Sequence, residues 1–228
     1  MQPFEQDEFN AFILDNGVYG FFEQPITLKS GRTSHFYANW RTVVEDVWRT
    51  EKLVDFVIRF VRQQGLAVDT FFGVPEGATK LGLLTQYTWA RRQSGYAPGS
   101  HALAMGRAKP KEHGAARDRY FVGAPRGRIL LLEDVTTTGG SSLAMLAGLQ
   151  EVGLDVVGLL SLTNRMETRD DGRSARQAVE EQGVSFYNMS TALDLLPAAY
   201  RRLQPGEEIA RAVEAEFDRY GVEPLRLG

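Results

Sequence analysis

One stretch constrains this chain more than any other: Leu130-Leu131-Leu132-Glu133-Asp134-Val135-Thr136-Thr137-Thr138-Gly139-Gly140-Ser141-Ser142. An apolar run without polar alternation reads as a strand covered on both faces. It runs straight into two adjacent carboxylates, and small hydroxyl and glycine residues then lead towards a helix. Small residues let backbone N–H groups close around an anion. The helix adds its positive N-terminal end, and the hydroxyls add donors. Such a turn suits a phosphate group. The carboxylates before it would then sit over whatever carries that phosphate, accepting hydrogen bonds from sugar hydroxyls or holding a hydrated Mg2+. The plainer alternative is a strand with a polar end followed by a well-capped helix. A Walker A loop is excluded, because no Gly-Lys-Ser/Thr is present and the acids precede the turn.

The rest of the chain supplies a setting for that turn. Phe9, Phe12 and Ile13 lie at helical spacing within residues 5–16, and Leu53, Phe56, Val57, Phe60 and Val61 form an apolar stripe within 50–64. A strand is expected at 68–74, a helix from there to about Arg92, and a short strand within 101–105. Further on, strands are expected at 128–132, 156–162 and 184–188, and helices at 143–152, 175–182 and 207–220. Strands alternating with helices predict an α/β fold with a mainly parallel sheet, whose ligands bind at the carboxyl ends of the strands.

Composition narrows the field. At 228 residues, 43% of them hydrophobic and 24% charged, one globular domain over 1–228 is expected. The absence of cysteine removes disulfide scaffolds and thiol chemistry. Three histidines (His35, His101 and His113) make a multi-histidine metal site a poor fit. No apolar window is long enough for a membrane span. The first residues are acidic and lack the regions of a signal peptide, so a cytoplasmic setting is expected. A net charge of −3 gives no reason to expect a nucleic-acid partner.

That average conceals a basic segment. Residues 107–119 hold Arg107, Lys109, Lys111, Arg117 and Arg119 against Glu112 and Asp118, a local +3, with His113 among them. Flanking glycines suggest a mobile loop over about 106–119. Its cations could stabilise an anionic leaving group and exclude water. A solvated surface loop is the alternative. A third motif, Thr27-Leu28-Lys29-Ser30-Gly31-Arg32-Thr33-Ser34-His35-Phe36-Tyr37-Ala38-Asn39, sets a cationic turn beside an aromatic strand. That pairing suits an anionic heteroaromatic ring; a plain hairpin with a surface lysine would look the same.

The acidic turn resembles the signature of the type I phosphoribosyltransferases, with Thr136 where an aliphatic residue is usual. The other motifs are similar to those of the orotate phosphoribosyltransferases. Arg107, Lys111, His113 and Gly114 match that family's flexible loop; Ala108 replaces its usual lysine, and Lys109 sits one step later. Leu28-Lys29-Ser30-Gly31-Arg32 and the aromatics after it match the base-site motif, with His35 where proline is common. Residues 72–78 match a segment that touches pyrophosphate through backbone, where Glu76 is a departure expected to point away or to take a water or metal. Arg165 falls where the family's orotate-binding arginine sits, after Asn164 in place of the usual aspartate.

The resemblance implies a central, mainly parallel sheet flanked by helices, with a small hood drawn mainly from residues 1–45. It implies transfer of phosphoribose from phosphoribosyl pyrophosphate (PRPP) to orotate, yielding orotidine 5′-monophosphate and pyrophosphate, in Mg2+. Thr137, Thr138, Gly139, Gly140 and Ser141 would hold the 5-phosphate. Glu133 and Asp134 would hold the ribose hydroxyls, with Mg2+ carried mainly by PRPP and reached by Asp134 through water. Arg107, Lys109, Lys111 and His113 would bind pyrophosphate, with Lys111, His113 and Asp134 as the catalytic set. Lys29, Tyr37, Thr137 and Arg165 would hold orotate. A homodimer sharing the loop across its interface is implied. Two rivals stand beside this reading: an enzyme for another base, such as a purine, and a PRPP-binding regulator without activity.

Overall fold

Strand β6 (Ile129–Thr136) is the axis of the molecule. Its alternate residues feed two separate apolar cores. Leu130 and Leu132 join one with Phe9, Trp40, Leu53, Val57 and Phe71. Ile129 and Leu131 join the other with Phe72, Phe121, Leu146, Leu149 and Phe186. A strand buried on both sides has no use for polar alternation, which explains the unbroken apolar run. The computed structural model describes residues 2–28, 30–109, 111–113 and 119–227.

Strands β3 (Thr70–Gly73), β6, β7 (Val156–Asn164) and β8 (Ser185–Asn188) form a parallel sheet in the order β3-β6-β7-β8. β3 ends at Gly73, opposite Leu132, whereas β6 continues beside β7 to Thr136. Glu133 and Asp134 therefore stand just past the last residue of β3. Helix α3 (Val47–Gln63) buries its predicted stripe, and Asp46 caps it by accepting from the Arg49 N–H at 2.8 Å. Helix α4 (Thr79–Arg91) follows β3, and helix α5 (Gly140–Glu151) follows β6.

The hood is a hairpin of β1 (Tyr19–Thr27) and β2 (Thr33–Ala38), antiparallel with an irregularity between Phe21 and Ile26. Helix α1 (Gln6–Asp15) packs beneath it, Phe9 stacking on Trp40 at 5.9 Å. The hood also draws on the far end of the chain. Helix α8 (Glu207–Tyr220) stacks Phe217 on Phe36 at 5.9 Å, and its Glu216 accepts from Ser34 Oγ at 2.7 Å and from the His35 N–H. The expectation that residues 1–45 mainly build it needs that addition.

Other differences have local causes. Helix α5 starts three residues before the predicted Leu143, because Gly139 takes φ +73° and turns the chain at once. A left-handed φ of this kind favours glycine. Helix α7 (Ala192–Leu203) contains Pro197, a residue that reads as a breaker; Thr191 caps it by accepting from the Asp194 N–H at 3.1 Å. The short strand expected within 101–105 is reduced to β4 (Met105–Gly106), paired with β5 (Phe121–Val122). Helix α6 (Ala175–Glu180) begins at a reciprocal Ser174–Gln177 cap. Among the described residues no helix is long and apolar enough to cross a membrane.

Candidate active site

The carboxyl end of β6 opens into a pocket of about 520 Å³. Glu133, Thr137, Thr138, Gly139, Gly140 and Ser141 all line it, six of the residues singled out in the sequence. The turn presents its backbone and hydroxyls beneath the N-terminal end of the twelve-residue α5, the arrangement that attracts a phosphate. Glu133 is nearly buried, and Ser142 Oγ donates to its Oε2 at 2.5 Å, which fixes the carboxylate at the pocket wall. Ser142 escapes a reading of the sequence because it looks like one more small residue of the turn.

Asp134 sits beside the pocket rather than in its wall. Its Oδ1 accepts from the Val135 N–H at 2.9 Å, and the carboxylate rests on Gly77. A Cβ on Gly77 would lie 2.3 Å from Asp134 Oδ2, so that approach requires glycine. Glu76, next to it, is exposed. Among the described residues no three metal-ligating side chains come together. The donors present are carboxylate oxygens, two of them already hydrogen-bonded. This hard set fits Mg2+ only where a substrate supplies most of the coordination.

The described residues of the basic segment extend the β4–β5 pair as an arm. The Arg107 N–H donates to Tyr120 O at 2.9 Å, and the Lys111 N–H to Arg119 O at 3.0 Å. Gly106 packs so closely on Pro75 that a Cβ there would come within 2.8 Å of the ring. Ala108 and Tyr120, at the base of the arm, line the pocket, with Tyr120 held by its hydroxyl to Glu151 at 2.7 Å. Lys109, Lys111 and His113 are exposed and do not line it. Among the described residues no lysine, arginine or histidine does. The part of the expected loop at Pro110 and at 114–118 lies outside the described residues, as does Lys29. Its neighbour Ser30 does line the pocket.

The remaining expected orotate ligands are placed differently. Tyr37 is half-buried on β2 and is not part of the pocket wall. Arg165 is 1% exposed and faces the interior. Its guanidinium lies 3.8 Å from the Phe36 ring centroid and donates to Glu167 at 2.7 Å, Ser34 Oγ at 3.0 Å and Phe36 O at 3.3 Å. Arg165 thus holds a packing position rather than the expected ligand-facing one, because a buried guanidinium must spend its donors nearby. Asn164 is occupied in the same way. Its Oδ1 accepts from the Met166 N–H at 2.9 Å, holding Met166 at φ 59°.

No family model matches the chain. The orotate phosphoribosyltransferase of Thioalkalivibrio sulfidiphilus is 32% identical to it over 220 residues, covering 95% of this chain and 98% of its own. The crystal structure of orotate phosphoribosyltransferase from Francisella tularensis superposes with a TM-score of 0.66 at 20% identity, covering 94% of this chain and 99% of that one. The Mycobacterium tuberculosis orotate phosphoribosyltransferase, solved in complex with 5-phospho-α-D-ribosyl 1-diphosphate, gives a TM-score of 0.57 at 20% identity over 83% of this chain and 98% of that one. These structural likenesses establish the fold; the sequence identity, sustained along nearly the whole of both chains, establishes more. With the acidic strand end and its phosphate-type turn facing one pocket, the chain belongs to the orotate phosphoribosyltransferase family.

Proposed function

We propose that this protein transfers the phosphoribosyl group of PRPP to orotate, releasing pyrophosphate. The observation that carries the reading is the shared pocket in which Glu133 and the 137–141 turn meet at the N-terminus of α5. The turn holds the 5-phosphate. Glu133 and Asp134 accept hydrogen bonds from the ribose hydroxyls, and Ser142 and Gly77 keep the two carboxylates in place. The ring nitrogen of orotate gives up its proton and bonds to ribose C1 as the C1–O bond breaks; pyrophosphate leaves with that bonding pair, and Lys111 and His113 deliver a proton to it. Charge grows on the leaving group, and Arg107, Lys109, Lys111 and His113 answer it from the arm. Lys29 and Thr137 contact orotate, and Tyr37 packs near its ring. Mg2+ would be held mainly through PRPP, with Asp134 reaching it through water, and would supply charge compensation for the pyrophosphate.

The protein acts as a cytoplasmic homodimer, each arm serving the partner's pocket. Two observations support the sharing between subunits. The described pocket wall carries an acid and no cation, while the arm lysines and His113 are exposed. Large apolar side chains also face solvent: Val47 and Trp48 at the start of α3, and Leu84 and Tyr87 on α4. One assay tests the reaction. Orotate absorbance should fall on adding PRPP and Mg2+, with no turnover of adenine or hypoxanthine. Turnover of a purine instead would assign another base, and no turnover of any base would assign a regulator.

A further inference from the structure

Residues 164–170 leave the end of β7 and are tied to both halves of the pocket. On the phosphate side, the Arg165 N–H donates to Thr136 O at 2.9 Å, and the Arg169 guanidinium donates to Thr138 O, inside the phosphate turn itself. On the base side, Arg32 reaches across from the hood. Its guanidinium donates to Thr168 O at 2.7 Å, to Glu167 Oε2 at 3.2 Å and to Asp170 Oδ1 at 2.7 Å, with its carbon 4.5 Å from the Tyr220 ring centroid. Glu167 is shared: its other oxygen accepts from Arg165. The side chains of Arg32 and Glu167 are only 9% and 8% exposed.

Arg32 also closes the base-site turn. The Leu28 N–H donates to Arg32 O at 2.8 Å, and the Gly31 N–H to Leu28 O at 2.9 Å. Ser30, inside that turn, lines the pocket. One arginine thus shapes the turn with its backbone and anchors it with its side chain. A planar fork serving three separate acceptors cannot be replaced by the single point charge of lysine. The ion trio Arg32–Glu167–Arg165 is enclosed, so loss of one member leaves buried charge uncompensated.

We propose that residues 164–170 are a strap that sets the spacing between the base turn and the phosphate turn, and that Arg32 is its positioning residue on the base side. The inference rests on the proposed base site, because it assigns the 28–32 turn to the base. It also gives Arg165 a role: it locks the strap to Ser34 and Phe36 of β2.

The test compares Arg32→Gln, Arg32→Lys and Arg169→Gln. Arg32→Gln should raise KM for orotate about tenfold or more while KM for PRPP and kcat stay within about twofold. Arg32→Lys should remain impaired for want of the fork. Arg169→Gln should show the opposite preference, raising KM for PRPP. Hydrogen exchange supplies a readout that needs no orotate turnover: the Leu28 and Gly31 amides should exchange faster in Arg32→Gln, with β6 unchanged. If Arg32→Gln does not fold, Asp170→Ala removes one exposed partner of the fork and carries the same comparison at smaller amplitude. Equal losses for both substrates, an unchanged orotate KM, or unchanged exchange at Leu28 and Gly31 would each overturn the strap. A wild-type protein that ignores orotate yet shows the exchange effect would overturn the choice of base and leave the strap standing.

Discussion

Each charged residue of the site is defined by what its immediate neighbour allows. Asp134 can rest on the backbone of residue 77 only because that residue is glycine. Asp134→Asn should therefore weaken PRPP binding in Mg2+, and Gly77→Ala should do the same by displacing the carboxylate. Calorimetric titration checks both, and full affinity in either variant would contradict the ribose role. Lys111 is exposed on the arm and assigned to the leaving group. Lys111→Ala should lower kcat by about tenfold or more with orotate affinity nearly intact, as expected where an interaction is made only in the transition state. Unchanged turnover would take the arm out of the chemistry. At this scale the sequence is most legible where neighbours in space are neighbours in the chain. The 133–142 stretch can be read directly, because its acids, turn and helix start are contiguous. Arg165 cannot, since a buried arginine and an exposed one are written alike, and the partner that holds it, Ser34, lies 131 residues away.

Among the elements, α8 plays a large structural part. Its Glu216 is mostly buried against β2, and that burial raises the carboxyl pKa above the ordinary glutamate value, opposed by hydrogen bonds from His35 and Ser34 and by Arg165. The sign follows from linkage: with the folded pKa raised, Glu216 contributes most to stability below its unfolded value of about 4.3. That contribution is lost as pH rises through the folded pKa. Glu216→Gln, which carries no charge to desolvate, should compare better with the wild type at neutral pH than in acid. Thermal unfolding midpoints across that range measure the gap, and a gap independent of pH would contradict the assignment. The amphipathic pattern of α8 is plain in the sequence, and its bounds match the expectation of 207–220. Its destination on the hood is not, because nothing local to a helix names the strand it will cover. α7 is hidden for a different reason: Pro197 argues locally against a helix that tertiary packing of Leu195, Leu196 and Ala199 sustains.

For the whole molecule, the proposed sharing of arms has a consequence that mixing can reveal. A protein carrying both Lys111→Ala and His113→Ala has an intact phosphate turn, and one carrying Asp134→Asn has an intact arm. If arms serve the partner's pocket, hybrids formed on mixing the two impaired proteins should regain turnover. No recovery, with exchange of subunits verified, would place each arm on its own pocket.

The early ending of β3 carries a last consequence. From Glu133 onward β6 has a neighbour on one side only, and the space where the next strand would continue is the mouth of the pocket. In the proposed reaction the substrate would occupy that gap in the sheet. An open strand edge is a template for pairing with another chain, and here two carboxylates stand at its start. The carboxylates proposed to meet the ribose would also disfavour the pairing of a foreign strand at that edge.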